Sequence, residues 1–362
     1  MRIGIVKLSN PDKGLGKCAD TIAWALRMHG VSMFRVWQFE GLYRRPDDRF
    51  LAWAGSCDVV FLVEQFLPAA VEHLQRYGVR VVFVPNLDWA VLRGDADVSS
   101  WVEAVRSSGV DVWARTPGIR RALSAAGVRS RLMPWSIPDV VCRKRAATGG
   151  RTVTFYLNAG RGGWRRRRGV DLALRAFAIL RRRRLPVRLV LKTLRPLAEI
   201  SGRAPVDEGV TVVQGWRSAA AMSALLARAD VVLHPSRWEG LGLPMLEALH
   251  AGVPVIATDG WPMNEFVHHE RNGLLVPASY AGRIRLAAHW ECDPRDIAAA
   301  MERLAGDPQL RGRLTCASPD AWLRRQRMFA VAAARALAAR SNRAPAARRP
   351  EGLQARVRTR RA

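Results

Sequence analysis

The sequence predicts an α/β protein built from two doubly wound, Rossmann-like domains, and three observations carry that expectation. Strand-length apolar runs alternate with helix-length stretches in both halves of the chain, as in parallel sheets joined by crossover helices. The alternation breaks at the polar, basic stretch Arg143–Arg151, which contains Gly149 and Gly150, and then starts afresh. The length, 362 residues, exceeds what one hydrophobic core usually serves.

Taken in order, Ile3–Leu8 is an apolar run, Gly16–Met28 a helix and Phe34–Phe39 a strand. Strand Val59–Val63, helix Pro68–Tyr77 and strand Val79–Val84 repeat the theme. Helix Ser99–Ser107, strand Val110–Ala114, helix Pro117–Ala126 and strand Arg131–Pro134 complete a first domain, residues 1–143. After a linker at 144–151, a second domain over 152–318 opens with strand Val153–Asn158. Helix Asp171–Arg182, strands Val187–Lys192 and Val210–Val213, and helix Ala219–Arg228 follow. Helices at Asp296–Leu304 and Ala321–Ala339 come last, the second within a segment 319–340. Residues 341–362 are rich in Arg, Ala and Pro with few large apolar side chains, the composition of a disordered basic tail. Two such halves place a ligand in the cleft where they face each other.

Chemistry concentrates in residues 229–276. The apolar run Val231–Leu233 ends at Pro235 and Ser236, and a turn with Gly240 and Gly242 follows. Pro244 then opens a helix, Met245–Ala251, which stops at Gly252 before a second apolar run, Val253–Ala257. A helix entrance of this kind presents backbone N–H groups and a positive dipole end, a seat for phosphate. Glu239 and Glu247, eight positions apart, bracket it. Carboxylates repel phosphate but accept hydrogen bonds from the paired hydroxyls of ribose or hexose. Phosphate donors between two hydroxyl acceptors fit a nucleotide sugar.

The same stretch resembles a known family. Pro235, Ser236, Glu239, Gly240, Gly242, Pro244, Glu247, Ala248, Gly252, Pro254, Val255 and Ile256 carry the E-x₇-E donor-site pattern of retaining glycosyltransferases of family 4, which have the GT-B fold. The resemblance implies transfer of a sugar from a UDP- or GDP-linked donor to a glycan, lipid-linked or other hydroxyl acceptor, with no metal ion and no further cofactor. It implies that Glu247 holds the ribose, Glu239 the donor sugar, and the amides of Gly242 and Leu243 the phosphate, with Gly240 and Leu241 also in the donor site. In the family an Arg and a Lys from the loop that opens the second domain neutralise the diphosphate. Here that loop reads Gly160-Arg161-Gly162-Gly163-Trp164-Arg165-Arg166-Arg167-Arg168-Gly169, two residues longer than the pattern, with arginine in place of lysine. Arg161 and Arg168 fit the two positions, with Arg166 or Arg167 able to take over either.

Further positions follow from the same resemblance. Gly14 and Gly16, in Gly14-Leu15-Gly16-Lys17-Cys18-Ala19, match the glycine-bearing loop after the first strand rather than a dinucleotide fingerprint, because Ser9–Lys13 separate them from the strand. Lys192 is a further cation at a strand end, or a snorkelling lysine. Trp216 stands where the family commonly holds the nucleobase, or is an ordinary core or surface tryptophan. The family's histidine after an N-terminal-domain strand is absent. Pro85-Asn86-Leu87-Asp88-Trp89 occupies its place, and Asp88 is either a base or a turn cap. The last helix is expected to return to the first domain. A shared-fold epimerase and a catalytically inactive sugar-nucleotide-binding protein are the alternatives.

Asp95-Ala96-Asp97 has the form of a metal-binding D-x-D, but its place before a helix suits capping. His268-His269-Glu270 lacks zinc spacing, so no metal site is expected. The formal charge of +27 is carried by arginine, with only Lys7, Lys13, Lys17, Lys144 and Lys192 as lysines. Such a field attracts anions, and an anionic membrane surface is a candidate partner. Specific nucleic-acid binding is not expected, because no recognised binding motif accompanies the charge. Apolar runs such as Val59–Val63 are too short to span a bilayer, and Met1–Asn10 lacks a signal h-region. A cytoplasmic protein, peripheral on the inner face of the membrane, is the expectation. Cys18, Cys57, Cys142, Cys292 and Cys316 are scattered, without C-x-x-C spacing, and read as reduced thiols.

Overall fold

The computed structural model describes residues 1–8, 14–31, 34–39, 46–92, 97–138, 152–160, 166–202, 204–315 and 319–338. The chain divides into two compact units, Met1–Ser136 with the chain from Arg325, and Ile137–Arg324. The division at Ser136 comes earlier than the boundary expected after residue 143, and the linker 144–151 and tail 341–362 lie outside the described residues.

In the first unit, among the described residues, six parallel strands stand in the order β2-β1-β3-β4-β5-β6. They are β1 (Ile3–Leu8), β2 (Phe34–Phe39), β3 (Val59–Glu64), β4 (Arg80–Pro85), β5 (Asp111–Ala114) and β6 (Arg131–Leu132). Every residue of β3 is buried, as the apolar run Val59–Val63 in the middle of a parallel sheet should be, and the burial extends to Glu64 at its end. Helices α1 (Gly14–Arg27), α2 (Asp48–Gly55), α3 (Pro68–Arg76), α4 (Val98–Ser107) and α5 (Pro117–Ala125) form the crossovers. Asp97 caps α4 by accepting from the Ser99 amide at 2.9 Å, whereas Asp95 lies outside the described residues. Helix α2 was not foreseen from the sequence. Asp47 caps it, and its Phe50 and Trp53 pack against Trp37 of the edge strand at centroid distances of 5.6 and 5.4 Å.

The second unit holds β7 (Val153–Gly160), β8 (Val187–Thr193), β9 (Val210–Gln214), β10 (Val231–His234), β11 (Val255–Thr258) and β12 (Gly273–Val276), in the order β12-β11-β10-β7-β8-β9 and all parallel. Counted from β7 this is the doubly wound order 3-2-1-4-5-6. Helices α6 (Val170–Arg182), α7 (Leu197–Ser201), α8 (Ala219–Ala227), α9 (Leu243–His250), α10 (Pro294–Gly306) and α11 (Pro308–Thr315) accompany the sheet. Phe177 and Leu180 of α6 share one core with Ile297, Met301 and Leu304 of α10 and Phe155 and Leu189 of the sheet. Burying a side chain of that size contributes about 1.5–3 kcal/mol.

An antiparallel hairpin, β13 (Ala278–Ile284) and β14 (Ala287–Cys292), follows β12 and had no sequence signal. Its tight turn is Arg285-Leu286, with Arg285 in the left-handed region (φ 58°). Hairpin turns of this length usually announce themselves by Asn-Gly or Asp-Gly, and here the partner strands enforce the conformation instead.

Helix α12 (Pro319–Ala338) crosses the division between the units, and from Arg325 it belongs to the first. Phe329 packs on Trp135 at 4.7 Å, and Arg325 donates to the Trp135 carbonyl at 2.8 Å. Arg80, paired with Asp111, donates to the carbonyls of Ala336 (2.8 Å) and Leu337 (3.1 Å), closing the helix C-terminus with a cation. Among the described residues no helix is long and apolar enough to cross a membrane.

Candidate active site

In the second sheet the chain leaves β7 toward β8 on one side and β10 toward β11 on the other, which makes the β7/β10 pair the switch point where such sheets bind ligands. The segment after β7 returns through Arg166–Gly169 into α6, and the segment after β10 runs from Pro235 to Gly242 into α9. The two segments touch at backbone level. Gly169 caps α6 with φ 61°, and a Cβ there would lie 2.0 Å from the Pro235 carbonyl oxygen. Only glycine permits that approach.

The contact brings two arginines onto one carboxylate. Arg167 donates to Glu239 Oε2 at 2.8 Å, and Arg168 donates to Oε1. Glu239 is 1% exposed, and Nε2 of the buried His234 stands 3.3 Å from Oε1. Burial pushes the Glu239 carboxyl up, but the Arg168 and Arg167 guanidiniums outweigh it and hold the group well below the usual carboxylate range. Burial lowers the His234 imidazole from its ordinary 6.5, aided by the two arginines and opposed by Glu239.

That shift carries a stability prediction. An unfolded histidine takes up a proton below about pH 6.5, and the folded, buried one does so only at lower pH. The stabilisation is therefore complete above pH 6.5 and is lost as pH falls through the folded value. In thermal melts at constant ionic strength, His234→Gln should flatten the acid-side decline of the melting temperature. Parallel wild-type and variant curves below pH 6.5 would contradict the assignment.

A second, larger network lies behind the first. Arg237 grips Asp171 in the first turn of α6 at 2.8 and 3.0 Å and Glu291 of β14 at 2.8 and 2.9 Å. Its side chain also donates to the Arg166 carbonyl at 2.9 Å, and its amide to the Arg167 carbonyl at 2.8 Å. Arg237 thus fixes the backbone of the arginine segment while Glu239 fixes its side chains. Burial disfavours the Arg237 charge, but Asp171 and Glu291 more than compensate and raise its pKa.

Helix α9 begins at Leu243, two residues before the expected Met245, with Gly242 as its cap at φ 86°. Its first amides lack intrahelical acceptors by construction, so Gly242 and Leu243 present the positive helix end beside Glu239. Glu247 is half-buried on the same helix. Burial, and then the nearby Glu247 charge, hold the Tyr156 hydroxyl above its ordinary range.

A sequence model of the family described as "Glycosyl transferases group 1" matches residues 155–307, the stretch that contains this whole arrangement. That stretch is similar to the group 1 glycosyltransferases. The chain is 34% identical over 170 residues to a D-inositol 3-phosphate glycosyltransferase of Pseudarthrobacter chlorophenolicus, covering 44% of this chain and 36% of that protein. It is 36% identical over 149 residues to a GDP-mannose-dependent alpha-(1-6)-phosphatidylinositol monomannoside mannosyltransferase of Mycobacterium tuberculosis, covering 37% of this chain and 38% of that one. The chain thus spans little more than a third of the length of these curated relatives. Among solved structures, the Anabaena protein HepE in complex with UDP-glucose aligns with a TM-score of 0.68 at 16% identity over 94% of this chain and all of its own. A sucrose-phosphate synthase from Thermosynechococcus elongatus aligns at 0.67 and 15% identity, over 94% of this chain and 98% of that one. At such identities the likeness is one of fold, the two-domain α/β GT-B type.

Within the matched stretch the structure gathers Glu239, Gly240, Leu241, Gly242, Leu243 and Arg168 at the switch point, and Glu247 follows on α9. Glu239, expected on the donor sugar, has both oxygens engaged by Arg167 and Arg168, because a carboxylate this buried needs cations around it. Lys192 is buried at the end of β8, next to β7, with Nζ 3.5 Å from the Thr193 carbonyl. Trp216 lies past β9 at the sheet edge, 55% exposed and two strands from β7. Arg161 lies outside the described residues. Gly14 and Gly16, expected in a loop, belong to the first turn of α1 in the other unit. Asp88 is there too, 2% exposed in the short 3₁₀ turn Leu87–Trp89. Sequence reasoning missed His234, Arg237, Asp171 and Glu291. Among the described residues no cluster of three or more His, Cys, Asp or Glu could hold a metal ion.

Proposed function

We propose that the protein is a retaining glycosyltransferase that moves a sugar from a nucleotide-sugar donor to a hydroxyl of a glycan or lipid-linked acceptor without a metal ion. The observation that carries this reading is the gathering of Arg167 and Arg168 on Glu239 beside the N-terminal turn of α9. Negative charge grows on the departing diphosphate as the glycosidic bond breaks. Fixed guanidiniums and helix amides at that place stabilise the transition state more than the bound donor. The donor diphosphate sits on the Gly242 and Leu243 amides and the two arginines, the ribose on Glu247, and the sugar near Glu239. The departing phosphate takes the acceptor proton, as the family resemblance implies, with Asp88 on the acceptor side. A net charge of +27 favours an acceptor presented at an anionic surface.

HepE was solved with UDP-glucose, and a relative is described as GDP-mannose-dependent, so uridine and guanosine diphosphate sugars are the donors to test first. A specific donor at one hundred times its Kd should stabilise the fold by about 2.7 kcal/mol, read as a rise in melting temperature. The stabilising donor, incubated with acceptor hydroxyls, should yield a glycoside whose anomeric configuration by NMR matches the donor's. Conversion of the donor to an epimer alone, or binding without any turnover, would reject the transferase reading.

A further inference from the structure

A buried polar cluster closes the carboxyl edge of the first unit's sheet, and the reaction described above makes no use of most of it. Glu64, the last residue of β3, is 4% exposed and stands in the left-handed region with φ 68°. A long side chain rarely tolerates that backbone, and a glycine or asparagine would relieve it. Its Oε2 has no hydrogen-bond partner among the described residues. Both features are costly in a buried position, so the fold holds Glu64 there against local preference.

The carboxylate faces Arg115, which is 1% exposed at the end of β5, across 3.6 Å. Arg115 in turn donates to the Cys18 thiol of α1 at 3.3 Å, to the Pro85 carbonyl at 3.1 Å and to Asn86 Oδ1 at 3.3 Å. Burial pushes the Glu64 carboxyl above its ordinary range, against the opposing pull of the Arg115 guanidinium, and Cys18 and Asn86 lie beside it and favour its charged form while Asp88 disfavours it. Four elements thus converge: α1, the end of β3, the end of β4 and the end of β5. The segment they enclose is the start of the Asn86–Trp89 turn, which carries Asp88.

We propose that Glu64 and Arg115 are positioning residues that fix the Asn86–Trp89 turn, and with it Asp88, for the transfer reaction. Arg115 holds the entry to the turn by the Pro85 carbonyl and the Asn86 Oδ1, and Glu64 holds Arg115. The strained backbone at Glu64 aims the carboxylate along the sheet edge at the guanidinium. The proposal rests on the transferase reading for its effect on turnover, though not for its effect on the turn.

The test uses the full chain with Glu64→Gln, Glu64→Asp and Arg115→Lys. The Trp89 amide, which donates to the Asn86 carbonyl at 3.0 Å, reports the turn by hydrogen exchange. In Glu64→Gln it should exchange about tenfold faster while amides in β3 and β4 keep their protection. With UDP-glucose or GDP-mannose as donor, kcat should fall about tenfold and the donor KM stay within about twofold, the pattern of a misplaced group rather than lost binding. Glu64→Asp, which keeps the charge on a shorter stem, should recover part of both. Arg115→Lys, which cannot fork to Pro85 and Asn86, should match the glutamine variant and decides the matter if that variant does not fold. Wild-type exchange at Trp89 in a folded variant overturns the proposal, as does an unchanged kcat in an active enzyme. If wild type consumes no nucleotide sugar, the transferase reading falls, and the exchange result still decides the positioning role.

Discussion

Glu239→Gln is expected to lower kcat/KM for the donor by about 10²- to 10³-fold, the usual loss when one preorganised electrostatic group is removed from a transition-state site. The geometry gives two routes to that loss. Glu239 binds the sugar directly, as the family pattern implies, or it aligns Arg167 and Arg168 so that their remaining N–H groups meet the diphosphate. Both its oxygens are occupied by those arginines, and its pKa lies far enough down that the carboxylate stays charged throughout the neutral range. A glutamine keeps the shape but presents an amide that can accept only one of the two guanidiniums.

A double-mutant cycle separates the routes. If Glu239 acts by aligning Arg168, then Arg168→Ala should lose nearly as much as Glu239→Gln, and the double variant little more than either. If Glu239 binds the sugar on its own account, the two losses should multiply. The alignment route also predicts that kcat falls more than donor KM rises in Arg168→Ala, because the guanidinium meets charge that grows as the glycosidic bond breaks. Activity within about threefold of wild type in Glu239→Gln would remove the site from the second unit's switch point altogether.

The parts of this fold legible in the sequence are those whose signal is local. Val59–Val63 and Val231–Leu233 read as strands because each is a short, unbroken apolar run, and Gly242 with Pro244 marked the start of α9 because the constraint is on the backbone itself. Glu239 could be nominated from the helix-entrance pattern and Arg168 from the family resemblance, but not as partners. They stand 71 positions apart, and their meeting depends on the Gly169–Pro235 approach, which no local pattern encodes. Arg237 was invisible for another reason. Among 58 basic residues nothing local distinguishes one buried arginine, its side chain bonded to Asp171, Glu291 and the Arg166 carbonyl, from those facing solvent. The hairpin β13–β14 escaped because its turn is Arg-Leu, so the residues expected to announce it are absent.

Arg237→Leu is expected to destabilise the second unit more than any surface change of equal size, by about 3–5 kcal/mol, the range for breaking one side of a buried ion pair. Asp171 is 3% exposed, and the remaining cation paired with it among the described residues would be Arg166, 3.9 Å away. Arg166 is itself largely exposed, so solvent screens that contact and it replaces little. The Arg166 carbonyl would lose its side-chain donor, and Glu291 its pairing to the switch-point segment. Lysine cannot substitute, because its single ammonium reaches neither both Asp171 oxygens nor the carbonyl and Glu291 together. Adding Asp171→Leu to Arg237→Leu should recover much of the stability, since the stranded charge is then gone. It should not recover activity, because the segment bearing Arg167 and Arg168 is still released from its anchor. Urea unfolding followed by hydrogen exchange at the Trp290 amide, which donates to the Arg237 carbonyl at 2.8 Å, reads the stability of this region directly. Stability restored together with full turnover in the double variant would show that Arg237 holds the fold but not the site.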